Sequence, residues 1–309
     1  MEHRNEGGIR PHFSGAFTAL ITPFRNGALD ERALRGLVDF QIEQGIDGVV
    51  PCGTTGESVT LSAAEHDWVI EIVIEQAAGR VPVIAGTGSN DTRSTIERTR
   101  HAKLAGASGA LVVVPYYNKP TQEGMFRHFS LIAESTDMPI VLYNVPGRTG
   151  VNMLPETTLR LAQLPNVMAI KEASGNLDQV SEIVLGAPDG FAVLSGDDSL
   201  TVPIISIGGS GVISVTSNVA PRAVAEMTTA AMVGDFWAAR QMHRSLFELS
   251  RAMFLDNNPT AVKTAAEMLG LCASEVRPPL TEMSQANRIR LAQALAGFGF
   301  DLTAATAAD

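Results

Sequence analysis

Short, nearly continuous apolar runs recur along the chain, and segments with helical periodicity separate them. Such runs are typical of strands covered on both faces, whereas a half-exposed strand alternates apolar and polar residues. The predicted strands lie at 16–24, 47–53, 81–88, 109–117, 138–146, 166–174, 191–198 and 210–218. Strands that alternate with helices in this way predict an α/β fold of the (β/α)8 TIM-barrel class.

The segments between the strands carry helix start and stop signals. Asp30 precedes an amphipathic stretch, and Ser62 precedes another, with Glu65 three residues further on in a capping-box pattern. Glycines follow three of the predicted helices where a left-handed C-cap is expected, at Gly45, Gly79 and Gly106. These signals support the alternation of strand and helix.

Helical patterns at 221–233, 235–254, 259–270 and 281–296 follow the last predicted strand. We assign the first to the barrel and the others to a C-terminal helical extension. The predicted division is therefore an N-terminal lead at 1–12, a barrel at 13–233 and a helical region at 234–309. The lead is charged, lacks the apolar h-region of a signal peptide and is expected to be flexible.

Composition narrows the class of partner. The 309 residues carry a formal net charge of −10, which argues against nucleic-acid and anionic-membrane binding, because both favour basic patches. No apolar run approaches the roughly 18 residues of a transmembrane helix. Cys52 and Cys272 form neither a disulfide framework nor a metal-ligand spacing. These features indicate a cytoplasmic protein without a metal site.

The chemistry is expected where the predicted strands end, because barrel enzymes carry their working residues there. The motifs at these ends are "GTTGES" (53–58), "PYYNKP" (115–120), "YNVPGRTG" (143–150), "KEASG" (171–175) and "SGDD" (195–198). All three tyrosines of the chain, Tyr116, Tyr117 and Tyr143, fall among them. Each feature alone also fits a purely structural role, since strand-end glycines and threonines often form turns and strand tyrosines often pack in cores or interfaces.

Lys171 is one of four lysines in the chain and the only one on a predicted buried strand. A lysine there must be paired, neutral or used in chemistry. Glu172 cannot readily pair with it, because neighbouring residues of a strand face opposite sides. Burial disfavours the ammonium form, and a free amine attacks a ketone to form a Schiff base. We therefore predict Schiff-base chemistry at Lys171.

Such a site also needs a proton shuttle and donors for substrate carboxylates. Tyr143 on the neighbouring strand, with Thr54 and a second tyrosine, is expected to supply the shuttle. The amides and hydroxyls of Thr54 and Thr55 suit the carboxylate of a short keto acid. Arg148 suits a second carboxylate through its bidentate fork.

Together these motifs resemble the dihydrodipicolinate synthase family of pyruvate-dependent lyases and aldolases. The resemblance extends from about residue 13 to residue 280 and also rests on "IKEASGNL", "GVISVTSNVAP" and "NPTAVKTA". It implies condensation of pyruvate with L-aspartate 4-semialdehyde to 4-hydroxy-tetrahydrodipicolinate, in lysine and diaminopimelate biosynthesis. No cofactor is implied, because the covalent imine with pyruvate on Lys171 serves instead.

The resemblance also implies a role for each catalytic residue. Lys171 would form the imine, and Tyr143 would act beside it as the acid–base group. Thr54 would link Tyr143 to Tyr117, which in this family reaches into the site of the partner subunit. A dimer would then be the smallest active unit, and a homotetramer built as a dimer of dimers is expected.

Substrate contacts follow from the same resemblance. Thr55 would hold the pyruvate carboxylate, and the backbone of Ile213 would lie beside the imine. Gly196 is assigned to the same substrate site. Arg148 would bind the carboxylate of aspartate semialdehyde at the entrance.

Two alternatives stay open. N-acetylneuraminate lyases and 2-keto-3-deoxy sugar acid aldolases share the lysine, the tyrosine and a GxTGE-type loop, although Arg148 and the "GTTGES" form favour the synthases. The other alternative is a non-catalytic barrel that binds a keto acid as a sensor. A set of Lys171, Tyr143, Thr54 and Tyr117 argues against it, because a sensor needs no proton relay.

Regulation by lysine is expected to be weak or absent. Members of the family that lysine inhibits bind it at the tight dimer interface, with a carboxylate at the position of Ser94 that pairs with the ligand's amine. Ser94 supplies no such charge, and Ala63 has no polar group. The positions matching this regulatory site are Ser58, Ala63, His66, Asn90, Ser94 and Tyr116.

Overall fold

Strands and helices alternate along residues 13–302, the part of the chain that the computed structural model describes. The strands are β1 (Gly15–Ala19), β2 (Phe24–Arg25), β3 (Ala28–Leu29), β4 (Gly48–Val50), β5 (Ile84–Gly86), β6 (Gly109–Val113), β7 (Ile140–Asn144), β8 (Val167–Glu172), β9 (Ala192–Ser195) and β10 (Gly211–Ser214). The helices are α1 (Glu31–Glu43), α2 (Ala63–Ala77), α3 (Thr92–Ala105), α4 (Gln122–Glu134), α5 (Pro146–Thr149), α6 (Pro155–Leu161), α7 (Leu177–Gly186), α8 (Thr201–Ser206), α9 (Pro221–Met232), α10 (Phe236–Ala252), α11 (Thr260–Met268) and α12 (Gln285–Phe298). Short 3₁₀ helices occupy Asp198–Leu200 and Thr216–Asn218.

Eight parallel strands of this region form one sheet, in the order β4-β1-β10-β9-β8-β7-β6-β5. A parallel bridge between Val49 and Val83 joins its two edge strands and closes the barrel. The predicted (β/α)8 barrel is therefore confirmed. The N-terminal lead predicted at 1–12 lies outside the described residues, as does the end of the helical region at 303–309.

One hairpin was not predicted. β2 and β3 pair antiparallel directly after β1, at the edge of the barrel. Their turn is Asn26-Gly27, and both residues have positive φ, at 55° and 80°. Asn-Gly is the common sequence of a two-residue hairpin turn, so this signal was present in the chain.

The barrel interior is apolar below its mouth. Residues such as Phe17, Val141, Ala169 and Leu194 are buried there in one cluster. Val141 and Ala169 are register partners on β7 and β8, and two residues further on the partners are Tyr143 and Lys171. Since side chains alternate along a strand, Tyr143 and Lys171 also face the interior.

The predicted helix signals are present. The Asp30 carboxylate accepts a hydrogen bond from the Ala33 amide, and Ser62 and Glu65 form a reciprocal capping box before and within α2. Gly45, Gly79 and Gly106 all have positive φ, between 72° and 99°. The N-caps Asp30 and Ser62 follow loops at the carboxyl ends of strands, where the candidate site lies, whereas the three glycines end helices at the opposite face of the barrel.

The C-terminal helices pack on one flank of the barrel. α10 lies against α9 and α12, and α11 lies between α12 and the 3₁₀ turn Thr216–Asn218. Residues 260–266 of α11 are all buried. Among the described residues, none of the helices combines the length and apolarity needed to cross a bilayer.

Candidate active site

Lys171 lies near the C-terminal end of β8, and its side chain is only 5% exposed. Its register partner on β7 is Tyr143, which is 6% exposed. The Lys171 Nζ lies 4.4 Å from the centroid of the Tyr143 ring. The structure therefore brings the predicted nucleophile and the predicted acid–base group into direct contact.

Glu172 faces the opposite side of β8, as strand alternation predicted. Its carboxylate accepts hydrogen bonds from the Asn144 side chain, from the Ser174 amide at 2.7 Å and from the Gln179 side chain at 3.1 Å. All of these donors lie on the helix side of the sheet or in the loop after β8. Glu172 is thus satisfied without Lys171.

The "GTTGES" loop after β4 makes a tight turn that places Thr54 and Thr55. A Cβ atom on Gly56 would lie 3.0 Å from the Cys52 amide nitrogen and 3.1 Å from the Leu20 carbonyl oxygen, so only glycine fits without a shift. Thr55 is buried, and its hydroxyl accepts a hydrogen bond from the Asn258 side-chain amide at 3.0 Å. Thr54 is half-buried beside it.

A cavity of about 240 Å³ opens at this end of the barrel. Thr54, Tyr116 and Tyr143 line its walls, together with apolar residues such as Leu111. Arg148 on the one-turn helix α5 lines it too, with an exposed side chain. A cavity with a guanidinium, hydroxyls and an apolar floor suits a small organic anion.

Gly196 lies close to the lysine in the fold, and Ile213 lies in the barrel interior. A Cβ atom on Gly196 would lie 3.1 Å from the Lys171 Cε and 2.6 Å from the Ala173 Cβ, so a glycine leaves room for the lysine chain. Ile213 on β10 is fully buried in the interior cluster that also contains Tyr143. Gly196 therefore lies beside the lysine, and Ile213 lies in the barrel interior with Tyr143.

Tyr117 does not join the other two tyrosines. Its side chain is 86% exposed, and its φ of 72° is a left-handed conformation. The following residue, Asn118, is bound to the carbonyls of Tyr116 and Asn90. The expectation from residue types that all three tyrosines line one mouth is wrong for the single chain, because this turn directs Tyr117 outward.

The predicted regulatory positions occupy the same end of the barrel and the helices beside it. Ser58 and Tyr116 line the cavity, and Asn90 ends the loop after β5. Ala63 is the first residue of α2, and the amide of Ser94 in α3 donates to an Asp91 carboxylate oxygen at 2.7 Å.

His66 differs from the other regulatory positions because its ring is 1% exposed. Its Nε2 lies 2.8 Å from the carbonyl oxygen of Gly86, at the end of β5. Burial lowers the pKa of His66 below its ordinary value, and the nearby Arg98 adds to that effect. A neutral imidazole is therefore expected between α2 and the barrel.

Residue patterns missed the contribution of the C-terminal region. Lys263 on α11 is fully buried and donates to Glu57 of the "GTTGES" loop at 2.6 Å. The available signal was a lysine within "NPTAVKTA", a helical segment otherwise made of small and apolar residues. Within residues 13–302, no group of three His, Cys, Asp or Glu side chains is arranged to hold a metal ion.

Known proteins match this chain over most of its length. The model of the dihydrodipicolinate synthetase family matches residues 12–297. The 4-hydroxy-tetrahydrodipicolinate synthase of Thermomicrobium roseum is 58% identical over 282 residues, which is 91% of this chain and 93% of that protein. The protein of the same name from Geotalea uraniireducens is 55% identical over 93% of this chain and 99% of its own length.

A solved structure agrees with the sequence matches. The crystal structure of dihydrodipicolinate synthase from Aquifex aeolicus superposes with a TM-score of 0.93 at 49% identity, covering 94% of this chain and 100% of that one. Sequence and fold therefore agree over the barrel and over the C-terminal helices. The chain belongs to the dihydrodipicolinate synthetase family.

Proposed function

We propose that the protein condenses pyruvate with L-aspartate 4-semialdehyde and releases 4-hydroxy-tetrahydrodipicolinate, on the route to diaminopimelate and lysine. The observation that carries the proposal is Lys171, which is buried at the mouth of the barrel, in contact with Tyr143 and unpaired with Glu172. Membership of the family and the names of its relatives support the same reaction.

The first step is imine formation. The Lys171 Nζ attacks C2 of pyruvate, and a proton from Tyr143 allows the carbinolamine oxygen to leave as water. The Thr55 hydroxyl binds the pyruvate carboxylate, and the backbone of Ile213 lies beside the new imine. Because Gly196 has no side chain, it leaves the space that the Lys171 side chain occupies.

The second step forms the carbon–carbon bond. The protonated imine withdraws electrons, so the adjacent methyl loses a proton and the resulting enamine attacks the aldehyde carbon of the second substrate. Its aldehyde oxygen takes up a proton and becomes the hydroxyl. Arg148 at the rim of the cavity binds the carboxylate of this substrate, because a guanidinium fork matches a carboxylate.

The third step closes the ring. The amine of the former aldehyde substrate attacks the imine carbon and displaces Lys171, which returns as a free amine. The electron sink throughout is the protonated imine, so we propose that the reaction needs no metal and no organic cofactor.

The proton relay requires a second chain. Thr54 lines the cavity beside Tyr143, whereas Tyr117 is exposed on the outside of its own chain. We propose that Tyr117 reaches the cavity of a partner subunit, where it extends the relay from Thr54. A dimer is then the smallest complete enzyme, and we propose a homotetramer built from two such dimers.

The test is turnover of pyruvate with aspartate semialdehyde, coupled to the reductase that consumes the product. We expect loss of reduced nicotinamide absorbance, and we expect borohydride to trap a pyruvate adduct on Lys171. A trapped adduct without turnover would move the function to an aldolase with another aldehyde, such as a sugar-acid aldolase. Noncovalent binding of pyruvate without an adduct would indicate a keto-acid sensor.

A further inference from the structure

A second lysine is buried in this protein, and the proposed reaction does not use it. Lys263 on α11 is fully buried, and its Nζ donates to the Glu57 Oε1 and to the Glu275 carbonyl, both at 2.6 Å. The same ammonium lies 4.1 Å from the centroid of the Phe24 ring. A charge removed from water this completely has to be held by partners, and here Glu57 supplies the opposite charge.

Glu57 belongs to the "GTTGES" loop, two residues after Thr55. Its side chain is 2% exposed, and its second carboxylate oxygen accepts the amide of Arg277 at 3.0 Å. Both oxygens are therefore bound by residues of the C-terminal region. Glu57 also has a φ of 52°, a conformation that a residue with a side chain keeps only where its surroundings impose it.

The C-terminal region also contacts this loop at Thr55. The Asn258 side-chain amide donates to the Thr55 Oγ1 at 3.0 Å, and both residues are buried. A hydroxyl that accepts a hydrogen bond from an amide still has its own proton to donate. Asn258 thus orients Thr55 as a donor, which is the role that a bound carboxylate requires.

We propose that Asn258 and Lys263 are positioning residues for pyruvate. Lys263 fixes the backbone of the 53–58 loop through Glu57, and Asn258 directs the Thr55 hydroxyl toward the pyruvate carboxylate. This inference rests on the proposed function, in which Thr55 binds that carboxylate. It gives the C-terminal helices a task in substrate binding, although they lie outside the barrel strands.

The proposal makes a selective claim about the two substrates. Arg148 lies on α5, which follows β7 in the chain, whereas the hydrogen bonds of Asn258 and Lys263 within residues 13–302 go to Thr55, Glu57 and Glu275. Loss of the C-terminal contacts should therefore weaken pyruvate binding and leave the KM for aspartate semialdehyde unchanged. General damage to the fold would instead lower the active fraction, which reduces kcat alone, or raise the KM values of both substrates alike.

The first experiment concerns the hydroxyl of Thr55. We would measure half-saturation by pyruvate, both in borohydride trapping of Lys171 and in turnover, for Asn258→Ala, Thr55→Val and their combination. We expect Asn258→Ala to raise both values roughly tenfold, the size of one hydrogen bond to a charged group. The combination should bind pyruvate no worse than Thr55→Val alone, because Asn258 acts through that hydroxyl.

The second experiment concerns the buried ion pair. Lys263→Met alone leaves the Glu57 carboxylate buried without its partner, so the informative variant is Lys263→Met combined with Glu57→Gln. We expect this double variant to fold. We also expect it to need a higher pyruvate concentration than wild type for half-maximal trapping, when the signal is normalised to the sites that can be trapped. Arg288→Met is the matched control, because it breaks an ion pair with Glu267 in the same helical region without contacting the loop.

Two results would overturn the inference. One is wild-type half-saturation for pyruvate in the Asn258→Ala and double variants, and the other is an equal rise in KM for both substrates. Trapping distinguishes failure of the positioning role from failure of the proposed reaction, since the adduct reports pyruvate binding without any aldehyde. A wild-type protein that forms no adduct would contradict both proposals together.

Discussion

Asn144 and Glu172 face each other on β7 and β8, one residue beyond Tyr143 and Lys171, and the Asn144 amide lies 3.2 and 3.1 Å from the two carboxylate oxygens of Glu172. Both side chains are buried. Because successive side chains alternate, this contact lies on the helix side of the sheet whereas the reactive pair lies inside. It holds the relative position of the two strands that carry the proposed chemistry.

Removing Glu172 should affect both stability and rate. Glu172→Ala removes the charged acceptor shared by the Asn144 and Gln179 side chains and the acceptor of the Ser174 amide, and we expect a loss of about 2 kcal/mol in the free energy of unfolding. We also expect a lower kcat per trapped Lys171, with Glu172→Gln intermediate because it keeps one acceptor oxygen. Denaturation curves and adduct-normalised kcat check this. An alanine variant as stable and active as wild type would contradict it.

Lys171→Ala should abolish the chemistry without unfolding the protein. We expect kcat to fall by several orders of magnitude, because no other group on the described strands offers the amine that the imine needs. Borohydride should trap no adduct, as intact-mass measurement would show. Lys103→Ala, which removes an exposed lysine paired with Asp137, is the control and should keep wild-type turnover. A trapped adduct in Lys171→Ala would assign the imine to another lysine.

Arg148 should govern the second substrate. Arg148→Ala is expected to raise the KM for aspartate semialdehyde roughly 10- to 100-fold, the range for a hydrogen-bonded charge pair, and to leave half-saturation by pyruvate in trapping unchanged. Arg148→Lys should recover only part of the loss, because an ammonium lacks the planar fork. The control is Arg240→Ala, which removes an exposed arginine on α10. Equal effects on both substrates would remove Arg148 from the proposed role.

Lysine should inhibit the wild-type enzyme weakly or not at all. Ser94 in the first turn of α3 offers a hydroxyl where an amine ligand would need a carboxylate, and Ala63 adds no polar group. Initial rates with increasing lysine check this, and an inhibition constant in the low-millimolar range or tighter would refute it. Ser94→Glu should increase sensitivity, and the helix tolerates it, because a carboxylate is favourable in a first turn.

Local patterns predicted the fold and the proposed imine-forming lysine, because both depend on short-range periodicity. The apolar run of β8 placed Lys171 inside and Glu172 outside, and the structure confirms both orientations. Tyr117 could not be placed in this way, since its direction depends on a positive φ that tyrosine rarely adopts. The contacts of Asn258 with Thr55 and of Lys263 with Glu57 span 203 and 206 residues, a separation that no local pattern encodes.

Acid should destabilise the protein in part through His128 on α4. Its ring is 6% exposed, its Nδ1 lies 2.9 Å from the Thr92 hydroxyl, and burial lowers its pKa to about 4 from an ordinary value of 6.5, with Asp91 opposing the shift. Between about pH 4 and pH 6.5, His128 therefore binds a proton in the unfolded chain and stays neutral in the folded chain. The stability from this group is complete above pH 6.5 and is lost as the pH falls toward 4, by at most about 3 kcal/mol.

His128→Gln isolates that contribution from the carboxylates, which also titrate at low pH. The glutamine carries no titrating group, so we expect the variant to lose less stability than wild type between pH 7 and pH 4.5, whatever its stability at pH 7. Denaturant midpoints at both pH values measure the difference, with activity at pH 7 as the check on folding. The same pH dependence in both proteins would mean that the imidazole is already protonated in the fold or that the helix opens before it titrates.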